Sequence, residues 1–181
     1  MKITYAVKSI LSVAVFTGWN LYGVAQKGWP VPSANSNMLF YLQRTPDSNT
    51  VVYELNIKND VLDSLHPVHV FWIRYSENRQ REELSPIQRK YAYGIKAVKL
   101  SHNHYTLSLV SYKKYQMLLE SGPDNKLRVF VIINKTRAIL SNMYLQINGG
   151  SFWSPNIEFV EFSGINPANG AIIKERIKLE K

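Results

Sequence analysis

His102 and His104 are the first residues to weigh for chemistry, because residues two apart on a strand project from one face and two imidazoles can share a metal ion. No third ligand can be assigned to them from the sequence. Ser101 and Asn103 equally suit a tip between strands, where both rings would be solvated. His66 and His69 are three apart, but Pro67 disfavours the helical backbone that would align them. A metal-dependent hydrolase built on His102 and His104 is therefore the alternative reading, and the leading expectation is no metal and no cofactor.

Other catalytic constellations are weaker still. The chain has no cysteine, which removes disulfides, thiolate zinc sites, thiol nucleophiles and redox pairs together. It has no Gly-x-Ser-x-Gly elbow and no glycine-rich phosphate loop, and Gly149-Gly150 reads as a hairpin turn. Glu158 with Glu161, or Glu54 with a glutamate of another strand, could form an acid pair. That mechanism depends on a carboxylate separation the sequence does not give, and a solvated strand face accounts for them more simply.

Binding is the better-supported chemistry. Gln88, Arg89, Tyr91 and Tyr93 form a basic and aromatic cluster, and Trp153, with Trp29 and Phe152, lies near the end of an element where an aromatic can stack on a ligand. For the 86–93 helix itself the preferred reading is a plug that closes one end of the β-domain, with the ligand cluster as the alternative. Trp72 and Phe130 sit in strongly apolar runs and are expected in the core.

The elements that must position these residues are mostly strands. Two-residue alternation marks Met38 to Arg44 and Thr50 to Lys58 as a hairpin, with Val51, Tyr53, Leu55 and Ile57 inward and Glu54, Asn56 and Lys58 outward. Val68 to Tyr75 is apolar on both faces and reads as a central strand covered twice. Further runs follow at Ile95 to Leu100, Tyr105 to Tyr112, Tyr115 to Leu119, Leu127 to Asn134, Ile139 to Ile147, Ile157 to Phe162 and Ala171 to Leu179. The expected fold is all-β, an antiparallel sandwich or barrel of about ten strands. Ser85-Pro86-Ile87-Gln88 interrupts the pattern with the parts of a capping box, predicting one short helix over about 86–93 with Gly94 ending it in a left-handed conformation.

Met1 to Ala25 reads as an export signal. Lys2 and Lys8 supply the positive start, Ile10 to Phe16 the apolar run, and Gly23-Val24-Ala25 the small residues before a cleavage site. The apolar run is too short to span a bilayer comfortably, so a membrane enters the reading only through an uncleaved signal. Residues 26–37 form an extended lead-in and 38–181 a single β-domain, exported to the periplasm or secreted. The net charge of +9 falls to +7 when Lys2 and Lys8 leave with the signal. That balance suits an anionic or glycan component of the envelope, while export argues against nucleic acid.

Asn37 to Arg44, Asn49 to Asn56, Val70 to Tyr75 and Leu84 to Gly94 together resemble a family of exported bacterial proteins catalogued as domain of unknown function 4833, and Leu107 to Lys114 and Glu158 to Gly164 agree. The resemblance implies an envelope domain and supplies no activity, cofactor or site. The function expected is that of a non-catalytic binding or interaction module.

Overall fold

A computed structural model describes residues 29–151 and 154–178. The signal expected at 1–25, the start of the lead-in, Phe152 and Trp153 lie outside the described residues.

The chain is all-β with one short helix, and its main sheet is a half-barrel of eleven strands. Strands β1 (Met38–Arg44) and β2 (Thr50–Leu55) form the expected hairpin, and β5 (Val68–Arg74) and β6 (Gln80–Glu83) extend it outward. A small separate hairpin, β3 (Ile57–Lys58) with β4 (Val61–Leu62), stands between them in sequence. After helix α1 (Pro86–Tyr91) come β7 (Ile95–Ser101), β8 (His104–Leu109), β9 (Tyr112–Ser121) and β10 (Leu127–Ile133), each antiparallel to the next. They lead to the long β11 (Thr136–Gly150), followed by β12 (Pro155–Ile165) and β13 (Ile172–Lys178). The β3–β4 and β10–β11 turns place Asn59-Asp60 and Asn134-Lys135 at positive φ, the two-residue geometry that matches strand twist.

Strand β11 organises everything else. β12 pairs along one of its edges from Ile139 to Gly150, so the other edge is shared in succession by β10, against residues 136–139, and β1, against residues 142–145. The β1–β11 pairing is parallel, the one departure from the antiparallel pattern, and it joins strands far apart in sequence. Two wings of sheet thus hang from one strand.

One continuous cluster fills the concave side: Leu42, Val51, Tyr53, Val70, Trp72, Leu107, Leu119, Val131, Leu140, Met143 and Phe162 are all buried in it. A bulge at Ser141 changes which side chains of β11 point inward, from Ala138 and Leu140 to Met143, Leu145 and Ile147. The outward face of β2 is less polar than its sequence suggests, because Val52 is buried with Tyr41 and Phe71 in a smaller convex cluster. β5 is buried on both faces as expected, though it sits one strand in from the β6 edge.

The convex face seals itself with a repeated device. Arg81 lies over Phe71, Arg137 over Phe130 and Arg176 over Phe159, with guanidinium carbons 3.6, 4.0 and 3.9 Å from the ring centroids. A glutamate holds each arginine: Glu54, Glu120 and Glu161 respectively. Each phenylalanine is under a tenth exposed without a second sheet above it. Trp72 and Phe130 are therefore both buried, but on opposite faces. Part of the basic charge is spent on covering aromatic rings rather than on display.

Candidate functional site

The helix forms where the capping box predicts. The Ser85 hydroxyl accepts from the Gln88 N–H at 3.2 Å, and the Gln88 side chain accepts from the Ser85 N–H at 3.0 Å. The helix closes at Tyr91, and Gly94 is not left-handed. What requires glycine there is space: a Cβ would lie 1.9 Å from the Arg89 carbonyl oxygen.

Residues 92–94 are tied to both wings. Ser111 Oγ donates to the Ala92 carbonyl at 2.6 Å, Val110 N–H donates to the Gly94 carbonyl at 2.9 Å, and Tyr53 Oη donates to the Tyr93 carbonyl at 3.0 Å. The first two reach the β8–β9 turn and the third reaches β2. The helix tail therefore spans the gap that the half-barrel leaves open.

Beside this tail the concave interior opens to solvent as a cleft of about 1020 Å³. Its floor is the core itself: Leu42 of β1, Met143 and Leu145 of β11, Leu109 of β8, and Ile157 and Val160 of β12. Its rim is polar, with Arg44, Thr45, Tyr91, Tyr93, Ser111, Tyr112, Ser151 and Ser154. The volume is at the upper end for small-molecule sites, which run to about 1,000 Å³ with mostly apolar walls and a few placed polar groups.

Arg44 is the one charged residue among the described residues lining this cleft. Its guanidinium carbon lies 5.9 Å from the ring centroids of both Trp72 and Tyr93. One terminal nitrogen meets Asp47 at 3.3 Å, and the Nε is buried without a partner. Trp72 and Tyr93 meet edge to face at 5.0 Å. Burial pushes the Tyr93 hydroxyl above its ordinary pKa, and the Arg44 charge only partly offsets it. A neutral phenol that can donate is thus held beside a fixed cation.

The predicted binding residues separate. Tyr91 and Tyr93 line the cleft. Gln88 is turned to structure, because its side-chain oxygen also accepts from Trp72 Nε1 at 3.3 Å. Arg89 points the other way, to Glu83 at 3.2 Å. Trp153 is not described, and Trp29 packs edge-on to Tyr144, 6.3 Å away, outside the lining. Arg44 and the β11 residues escape sequence reasoning. The available signal was an arginine closing the apolar run Met38 to Leu42, directly before Thr45-Pro46.

The histidines do not combine as sequence spacing allowed. His102 lies in the turn and His104 begins β8, so they share no strand face, and His104 Nε2 stands 3.3 Å from Glu120. His69 is more engaged: its Nδ1 is 3.2 Å from Glu54 and its Nε2 2.9 Å from Glu83. The ring lies between the two carboxylates, which a common metal would need on one side. Burial raises the Glu83 carboxyl, but its bonds to His69 and Arg89 bring it below its usual value. Among the described residues no three His, Asp or Glu side chains converge as metal ligands. Of the acids weighed for hydrolysis, Glu161 is taken up by Arg176 and Lys174, Glu54 by Arg81 and His69, and Glu158 by Asn148.

The family model for domain of unknown function 4833 matches residues 40–176. The chain belongs to that family. No curated protein and no solved structure matches it. The match runs from β1 into β13, so the family domain contains every described residue of the cleft, Arg44 included. The lead-in before Phe40 falls outside it. Its described part docks from the convex side, where Gln43 Nε2 donates to the Pro30 carbonyl at 2.7 Å.

Proposed function

We propose that this member of the domain of unknown function 4833 family is an exported, non-catalytic binding module of the envelope that takes a small molecule into the cleft beside α1. The observation that carries the reading is the open end of the concave core: an apolar floor meets a polar rim with Arg44, Tyr91 and Tyr93 on it. Binding there removes apolar surface from water at about 25 cal/mol per Å², without the chain reorganising. The export half of the proposal rests on Met1 to Ala25. The net positive charge supports an anionic or glycan component of the envelope as the source of the ligand.

The test is a fluorescence titration of the protein with Nile red, an uncharged apolar reporter. Saturable binding that Leu145→Trp or the more peripheral Ile147→Trp abolishes, with circular dichroism unchanged, supports the cleft. Binding that both variants leave intact overturns it. N-terminal sequencing of protein recovered outside the cytoplasm should begin near Gln26, and a start at Met1 would replace a cleaved signal with a membrane tether.

A further inference from the structure

The composition of the cleft goes beyond the fact of binding to the charge and shape of what binds. We propose that it takes a single-chain anionic amphiphile, with the acidic head on Arg44 and the chain over Leu42, Met143, Leu145 and Val160. This rests on the binding reading above and specifies its ligand class.

Three observations carry it. First, Arg44 is the one charge among the described lining residues, so the site has one sign. Second, its guanidinium is held near the Trp72 and Tyr93 rings with 27 % of the side chain still exposed, so it can be met from the cleft. A guanidinium pairs best with a carboxylate or sulfate oxygen. Asp47 does not saturate it. That carboxylate meets one terminal nitrogen at 3.3 Å, both side chains are more than a quarter exposed, and its other oxygen accepts from the Asn49 N–H at 2.8 Å.

Third, Arg44 and Leu42 are two apart on β1 and face the same way, so the cation stands where the apolar floor reaches the rim. A polar head bound at Arg44 leaves its chain directed across Leu42 toward Met143, Leu145 and Val160. An uncharged apolar molecule in the same place would cover the guanidinium while leaving it only its contact with Asp47, and a cationic one would face like charge.

Competition against Nile red tests this with laurate, dodecyl maltoside and dodecyltrimethylammonium, which share a twelve-carbon chain and differ in head charge. Laurate should displace the reporter at about tenfold or more lower concentration than the other two. Arg44→Met should weaken laurate about tenfold and leave the maltoside unchanged, while Arg44→Lys should recover part of the loss because it restores charge without the guanidinium fork. Asp47→Asn keeps the acceptor for Asn49 and removes the competing charge, so it should tighten laurate. Equal displacement by all three amphiphiles, or indifference of laurate to both Arg44→Met and Asp47→Asn, overturns the anionic head while leaving a binding cleft. Nile red binding that survives Leu145→Trp and Ile147→Trp overturns the cleft itself.

Discussion

Arg137 lies over Phe130, its guanidinium carbon 4.0 Å from the ring centroid, while Glu120 of β9 pairs with the same guanidinium. The ring is 3 % exposed although no second sheet covers it. Removing the cover in Arg137→Ala should lower the free energy of urea unfolding by about 1 kcal/mol, from lost cation–π contact and lost packing of the side-chain stem. Arg137→Met keeps the stem and should recover part of that. An unchanged urea midpoint in the alanine variant would refute the covering role.

Gly94→Ala drives a Cβ into the Arg89 carbonyl and should cost more than about 1 kcal/mol, because the strap from Ala92 to Ser111 must shift with it. Gly170→Asn is the contrasting case. Its φ of +71° suits asparagine and an added Cβ meets nothing within 4 Å, so thermal unfolding should be nearly unaffected. The same measurement on both variants separates a steric requirement from a conformational one.

Gln88→Leu removes the acceptor for both Trp72 Nε1 and the Ser85 N–H, and should destabilise by about 1–3 kcal/mol. Ser85→Ala removes only the cap to the Gln88 N–H and should cost about 1 kcal/mol. The two belong to one motif, so the double variant should lose less than the sum. Strict additivity in chemical denaturation would show that the box does not act as a unit.

Alkali should destabilise the fold through two tyrosines. Burial, with Tyr75 adding to it, pushes the Tyr41 hydroxyl up to about 12, and burial beside Glu175 and Tyr112 does the same for Tyr115. Between their ordinary value of 10.0 and about 12 the unfolded chain loses these protons while the folded chain keeps them. Stability contributed by the neutral forms is therefore complete below pH 10 and declines toward pH 12. Absorbance titration of phenolate should show Tyr41→Phe and Tyr115→Phe each removing a late-titrating group. Loss of only early-titrating absorbance would contradict the assignment.

The limits of β1 and the helix start were legible because both depend on neighbours in sequence, whereas the run Tyr105 to Tyr112 crosses the turn between β8 and β9 and Thr50 to Lys58 divides into β2 and β3. The alternation of β1 predicts Met38 to Arg44, the limits found, and Ser85 and Gln88 are close enough to satisfy each other. Residue type alone does not fix the role of Gly94 or of the histidines. Gly94 fits a left-handed cap by type, yet its role is steric and set by where the Arg89 carbonyl ends up. His102 and His104 have strand spacing, yet one lies in the turn that reverses the chain.

By itself the amino-acid sequence determined an all-β chain with one short capped helix, no cysteine chemistry and membership of the family its strands resemble. These follow from residue type and short-range periodicity, which carry the inward and outward alternation of each strand. The tertiary structure alone decided that β1 runs parallel to β11, that a bulge at Ser141 turns Met143, Leu145 and Ile147 inward, and that Arg44 stands at the rim of the resulting cleft. The β1–β11 pairing joins residues roughly a hundred positions apart and the bulge arises in the pairing of β11 with β12, and no local pattern encodes which edge a strand will share.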